Sequence, residues 1–94
     1  MCLWIILEHK DIARELRKVP AQIRKKYETW KDIVTHGGPL GLARIRGFND
    51  EALAGHWKGY RSSRLNEAYR VIYQAEGETL RVIVERVSKH DYRR

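Results

Sequence analysis

The spacing of apolar positions changes near the middle of the chain, from a helical period to a strand period. Residues 3–8, Leu3-Trp4-Ile5-Ile6-Leu7-Glu8, are a short apolar run with β-favouring Trp and Ile, and predict a first strand. Ile12, Leu16 and Val19 then recur at spacings of four and three, which suits one face of a helix running from His9 to Lys18. Val19-Pro20 ends that helix, because the residue before a proline is driven out of the α region. Pro20 suits the first position of a second helix, where its missing N–H costs nothing. Ile23, Tyr27, Trp30 and Val34 follow at i, i+4, i+7 and i+11, with Arg24, Lys25, Lys26 and Lys31 off that stripe. Gly37-Gly38-Pro39 is a strong breaker and is expected to stop this helix.

Residues 42–45 read as a short strand, and Gly47-Phe48-Asn49-Asp50 as a turn or loop. Residues 56–65 and 68–75 read as two strands joined at Asn66-Glu67. Gly77 breaks the chain, and Leu80 to Val87 is a final strand dense in valine and isoleucine. The order β, α, α, then strands in series predicts an α+β fold: an N-terminal strand and a two-helix hairpin packed on a small, mainly antiparallel β-sheet. The chain of 94 residues has the length of one domain, spanning 1–94.

Composition narrows the class. The hydrophobic fraction of 43% is that of a globular protein rather than a disordered basic tail. Lys and Arg total 19 and Asp and Glu 12, so the net charge is 19 − 12 = +7, which points to a polyanion or an acidic protein partner. Residues 1–50 carry 10 basic and 6 acidic side chains and residues 51–94 carry 9 and 6, so the charge belongs to the folded part rather than to a tail. Solubility alone is the competing explanation for such a balance. One cysteine, Cys2, allows no internal disulfide. No pair of His or Cys has metal-ligand spacing, and no cofactor motif is present. The run from Cys2 to Leu7 is too short for a signal-peptide core and no stretch reaches membrane-spanning length, so a reduced, cytoplasmic location is expected and no membrane partner.

Within the strand 68–75, Tyr69, Val71, Tyr73 and Ala75 share one face, and Ala68, Arg70, Ile72 and Gln74 the other. The Tyr/Val/Tyr face suits the helical stripe, which leaves Arg70 mid-strand on the opposite face. There it either pairs with a neighbouring glutamate such as Glu85 or serves as a rigidly mounted anion binder. Lys58, Arg61 and Arg64 recur at spacings of three, with Trp57 and Tyr60 interleaved as flat faces for base stacking. Arg44 and Arg46, two apart and so on one face of an earlier strand, complete a candidate cationic groove with Lys58 to Arg70; a solvated strand edge is the plainer reading of the Lys58 to Arg64 run. The closing His90-Asp91-Tyr92 is the most reaction-capable cluster, although terminal residues are commonly frayed. His9 and His36 fall at helix edges, as surface or capping residues, and His56 lies beside the basic run.

The block from Gly55 to Tyr73, with its Arg61-Ser62-Ser63, Leu65-Asn66 and Tyr69-Arg70-Val71-Ile72-Tyr73, resembles the central signature of RelE/ParE-superfamily toxins, most closely the RelE and HigB branches. Val87-Ser88-Lys89-His90-Asp91-Tyr92 resembles the C-terminal catalytic tail of that branch. The resemblance implies a RelE-like fold and the toxin of a type II toxin–antitoxin system, cutting messenger RNA in the ribosomal A site. In that reaction the ribose 2′-OH attacks the adjacent phosphate without a metal or cofactor, giving a 2′,3′-cyclic phosphate and a 5′-OH. By position Arg70 matches the phosphate-stabilising arginine, and His90 and Tyr92 match the acid/base and the substrate orienter. Asp91 matches a tail acid that orients His90 or Arg70. Arg64 joins this catalytic group, with Lys58, Arg61, Arg44, Arg46, Trp57 and Lys89 as RNA-binding residues. The chain departs from the pattern at His56-Trp57, where relatives often carry an acidic–basic pair, and shows no clear glutamate base; His90, a lysine or His56 remain open for that role.

The implied partners are a cognate antitoxin of helix-turn-helix DNA-binding type, the ribosome and messenger RNA, with the toxin monomeric alone and hetero-oligomeric with its antitoxin. Two other classes stay open: a ParE-like inhibitor of DNA gyrase, against which the tail counts, and a non-catalytic RNA-binding module.

Overall fold

Strand β1, Ile5–Glu8, leads through a short helix α1, Ile12–Arg17, into the long helix α2, Ala21–Ala43. The rest of the chain is β2, Glu51–Ala52, β3, Arg61–Arg64, β4, Tyr69–Glu76, and β5, Arg81–Lys89. A computed structural model describes residues 3–89. The five strands form one sheet in the order β1-β5-β4-β3-β2, parallel only between β1 and β5. This is the expected α+β architecture, with the helical hairpin over one sheet face and no helix over the other among the described residues.

The predicted stripe is the core. Ile23, Tyr27, Trp30 and Val34 are buried against Val71 and Tyr73 of β4 and Val82, Val84 and Val87 of β5. Trp30 stacks on Tyr27 at 5.7 Å and meets Tyr73 edge-on at 5.3 Å, arrangements that suit the aromatic quadrupoles. Arg24 turns from the stripe to donate to the carbonyls of Leu16 and Val19, closing the C-terminal end of α1. The Tyr27 hydroxyl donates to Glu8 at 2.6 Å, tying α2 to β1; burial foremost, then that hydrogen bond, pushes its phenol pKa well up.

Two expectations about the middle of the chain are corrected. The helix does not stop at Gly37-Gly38-Pro39 but kinks at Gly38, whose φ of 66° is unstrained only for glycine, and resumes to Ala43. The indole of Trp4 fills the space beside Gly38, 2.5 Å from where a Cβ would stand. Pro39 then begins the second segment, and Leu42 is buried in the core. Residues 42–45 are therefore not a strand but the end of α2 and a turn, because Leu42 reaches the core only by continuing the helical period. The expected strand 56–65 is shortened to Arg61–Arg64, with Gly55–Trp57 in a 3-10 turn.

The final strand carries an irregularity that its composition does not announce. Ile72 pairs with Arg86 but Tyr73 pairs with Val84, leaving Glu85 as an extra residue, a β-bulge. The bulge resets the alternation, so that Val84 and Val87, three apart, both face the helices. Beyond Val84, no strand among the described residues pairs with β5 on its β1 side, and α1 covers that edge: Glu15 Oε1 accepts the Val87 N–H at 2.8 Å.

Candidate nucleic-acid interface

The open face of the sheet is assembled from residues that alternate with the core. Arg64 of β3 lies directly opposite Arg70 of β4, and Arg70 lies opposite Ser88 of β5. Directly paired residues share a face, so these three form one row across the sheet. The neighbouring row holds Glu51, Ser62 and Ile72. Arg70 is only 6% exposed, and its Nη1 donates to Ser62 Oγ at 3.0 Å. Its Nη2 reaches Glu51 Oε2 at 3.6 Å. The sequence suggested Glu85 as the glutamate beside Arg70; the structure supplies Glu51 instead, because Glu85 is the bulged residue and Glu51 stands on β2 beyond Ser62.

Arg64 is exposed and has no side-chain partner among the described residues. Like charges directly opposite one another repel, and an anion between them attracts both and outweighs that repulsion. One arginine is thus clamped and the other free on the same face, next to a half-exposed carboxylate. This arrangement can bind a phosphate and place a proton acceptor beside it.

Arg61 follows a different course from its neighbours. Strand alternation turns it to the helix side, opposite Tyr73, where Nε and Nη2 donate to Asp50 Oδ1 at 2.8 and 2.7 Å. The Asp50 side chain is 0% exposed and also accepts from Ser63 Oγ at 2.6 Å and Tyr73 Oη at 2.5 Å, while Ser63 accepts from Trp30 Nε1 at 2.9 Å. Burial works against the Arg61 charge, yet the Asp50 hydrogen bond and charge leave its pKa above the ordinary value. Burial foremost, then the bond to Asp50, pushes the Tyr73 phenol well up. Consecutive acids therefore serve opposite faces: Asp50 organises the core side and Glu51 meets Arg70 on the open side.

The other candidates are scattered more widely than their spacing suggests. Arg44 and Arg46 are exposed but not on a strand; they flank the end of α2 and a 3-10 turn, Arg46–Phe48, anchored by buried Phe48. Lys58 follows the Gly55–Trp57 turn and is exposed, and Trp57 meets Tyr60 edge-on at 5.1 Å. His56 is exposed in that turn. Lys89 pairs with Tyr69, on the face opposite Arg70. His90, Asp91 and Tyr92 lie outside the described residues.

Glu51 and Ser62 are the site residues that sequence reasoning missed. A strand of two residues gives no alternation to read, and the one available signal for Glu51 was an acidic pair, Asp50-Glu51, just ahead of a basic run.

No protein-family model matches the chain, and no curated protein sequence matches it. Solved structures do match. The archaeal RelE–RelB complex from Pyrococcus horikoshii is similar over 97% of this chain and 99% of that one, with a TM-score of 0.75 and 19% identity. The Escherichia coli DinJ–YafQ toxin–antitoxin complex covers 94% of this chain and 93% of that one at a TM-score of 0.71 and 21% identity. The YoeB–YefM complex from Staphylococcus aureus covers 94% and 98%, with a TM-score of 0.72 and 16% identity. The chain has the fold of the RelE-like toxins.

Proposed function

We propose that this chain is the RNA-cleaving toxin of a toxin–antitoxin pair, acting on messenger RNA in the ribosomal A site. The observation that carries the reading is the open-face row: buried Arg70 held by Ser62, free Arg64 opposite it, and Glu51 at 3.6 Å. A guanidinium stays charged at any physiological pH and forks onto phosphate, so the pair suits the charge that builds on phosphorus during in-line attack. A phosphate oxygen competing for Arg70 Nη2 frees the Glu51 carboxylate from its ion pair. Glu51 then takes the 2′-OH proton as the 2′-oxygen bonds to phosphorus, the bond to the 5′-oxygen breaks, and an acid protonates that leaving oxygen. The resemblance of the tail assigns the acid and orienting roles to His90 and Tyr92, with Asp91 orienting. Trp57, Lys58, Lys89, Arg44 and Arg46 serve RNA or ribosome contacts, while Arg61, engaged by Asp50, supports the site from behind.

An antitoxin partner is supported by the neighbours themselves, which include complexes named RelE–RelB and DinJ–YafQ. The cytoplasm, where ribosomes translate, is the compartment this reading requires; among the described residues no helix is long and apolar enough to cross a membrane.

The test is to express the chain and map RNA 5′ ends across translated messages. Cuts in register with codons, absent in the Arg70→Ala chain, are expected. Growth arrest that survives Arg70→Ala while gyrase-dependent DNA breaks accumulate would overturn the reading in favour of a gyrase inhibitor.

A further inference from the structure

A second feature lies where α1 crosses the end of β5. A cleft of about 300 Å³ opens there between α1 and the paired residues Tyr69 and Lys89. Its one acid, Glu15, is already engaged, through Oε1 by the Val87 N–H and through Oε2 by Arg86 Nε at 3.4 Å. Lys18 and Lys89, both exposed, have no side-chain partner among the described residues. The half-buried Tyr69 ring, packed against the core, supplies an aromatic wall. The cleft is thus a small basic recess with one flat apolar side.

Its position relates it to the arginine row. Tyr69 precedes Arg70 on β4, and Lys89 follows Ser88 on β5, so each pair of successive residues presents one member to each face. The two sites therefore lie on opposite faces of the sheet, and an RNA strand reaching both rounds the edge of β5. Ser88 stands opposite Arg70 and also lines the cleft.

Resting on the RNA-cleavage reading, we propose that this cleft is a nucleotide subsite: it takes a nucleotide flanking the phosphate held at Arg70, its base against Tyr69 and its phosphate between Lys18 and Lys89. The recess has the volume for one nucleotide, and its cations and aromatic ring match the two halves of one. Its border at Ser88 with the Arg70 row favours RNA over an acidic peptide.

The test uses the full chain and uncleavable, dye-labelled 2′-O-methyl RNA, a dinucleotide and a hexanucleotide, with binding followed by anisotropy across a salt series. The hexanucleotide is expected to bind more tightly. Lys18→Gln should weaken only the hexanucleotide and lower its salt-dependence slope by about 0.7, the value for one phosphate on a single strand. Lys18→Arg should restore it. Tyr69→Phe should bind as the unaltered chain does, whereas Tyr69→Leu should lose about tenfold through lost stacking; circular dichroism on each variant separates misfolding from lost contact. If hexanucleotide binding depends on Arg70 but not on Lys18, Lys89 or Tyr69, the subsite is wrong and the RNA reading stands. If the unaltered chain binds neither RNA, both fall. If a hexaglutamate peptide, and not RNA, shifts the amide resonances of Lys18 and Val87, the cleft belongs to a protein partner and the proposal is overturned.

Discussion

Arg64 faces Arg70 directly across the β3–β4 pair, and among the described residues only Arg70 has side-chain partners. Two guanidinium groups on adjacent strands repel one another, so the pair is a stored preference for an anion. The clamped member sets position and the free member can close on what binds.

The fork of Arg70, and not only its charge, should matter. Arg70→Lys keeps the charge but cannot reach Ser62, Glu51 and a phosphate together. A loss of about 10²–10³ in cleavage rate is expected for Arg70→Ala, and most of it for Arg70→Lys. Single-turnover cleavage of ribosome-bound message measures this, with melting curves confirming that both variants stay folded.

Glu51→Gln should leave stability nearly unchanged, because the carboxylate is half-exposed at 50% and its ion pair with Arg70 is long at 3.6 Å. Cleavage should nonetheless fall by about 10²–10⁴, the usual contribution of a general base. If the variant cleaves as fast as the unaltered chain, Glu51 is not the base and His90, His56 or a lysine must be tried in turn.

Asp50→Ala has the opposite profile, acting on the fold before the chemistry. It strands Arg61, Ser63 and Tyr73 on the core side of the sheet, and a cost of about 3 kcal/mol is expected from the broken buried pair and its hydrogen bonds. Arg61→Gln should cost less, about 1 kcal/mol, since that guanidinium is 36% exposed and solvent screens its charge. Urea denaturation of the two variants gives the comparison.

Alkaline pH should unfold the protein through Tyr27 and Tyr73. Both phenols have folded pKa values raised by burial, and then by a carboxylate neighbour, above the unfolded value of about 10. Their contribution is complete below about pH 10 and is lost as pH rises beyond it, at about 1.4 kcal/mol per unit for each tyrosine. Denaturation midpoints taken from neutral to alkaline pH should fall steeply, and Tyr27→Phe or Tyr73→Phe should each flatten the fall.

Gly38→Ala tests the kink. The new Cβ meets the Trp4 indole at 2.5 Å and the backbone sits at φ 66°, so a loss of about 2–4 kcal/mol is expected. Gly37→Ala, with nothing within 4 Å of its Cβ, should be close to neutral. Thermal melts of the two neighbouring variants check the contrast.

The legible parts of the fold were those governed by periodicity. The stripe Ile23, Tyr27, Trp30 and Val34, the alternation of Tyr69, Val71 and Tyr73, and the proline between the helices each act within one element, so local spacing identified them. Arg70 on the face opposite the core was legible for the same reason. Arg61 was misjoined to Lys58 and Arg64, because a spacing of three on a strand puts successive members on opposite faces.

What the amino-acid sequence determined alone is the α+β class, the helical core stripe and an arginine mounted mid-strand away from the core. What only the tertiary structure decided is who stands beside that arginine. Glu51 and Ser62 reach Arg70 through pairing among β2, β3 and β4, and Ser88 through a bulge at Glu85. Asp50 gathers groups from β3 and β4, and Ser63 extends that network to Trp30 of α2. Periodicity says which way a side chain points within its own element. Register between distant segments says what it meets, and a bulge of one residue or a strand of two changes that register without leaving a repeat in the sequence.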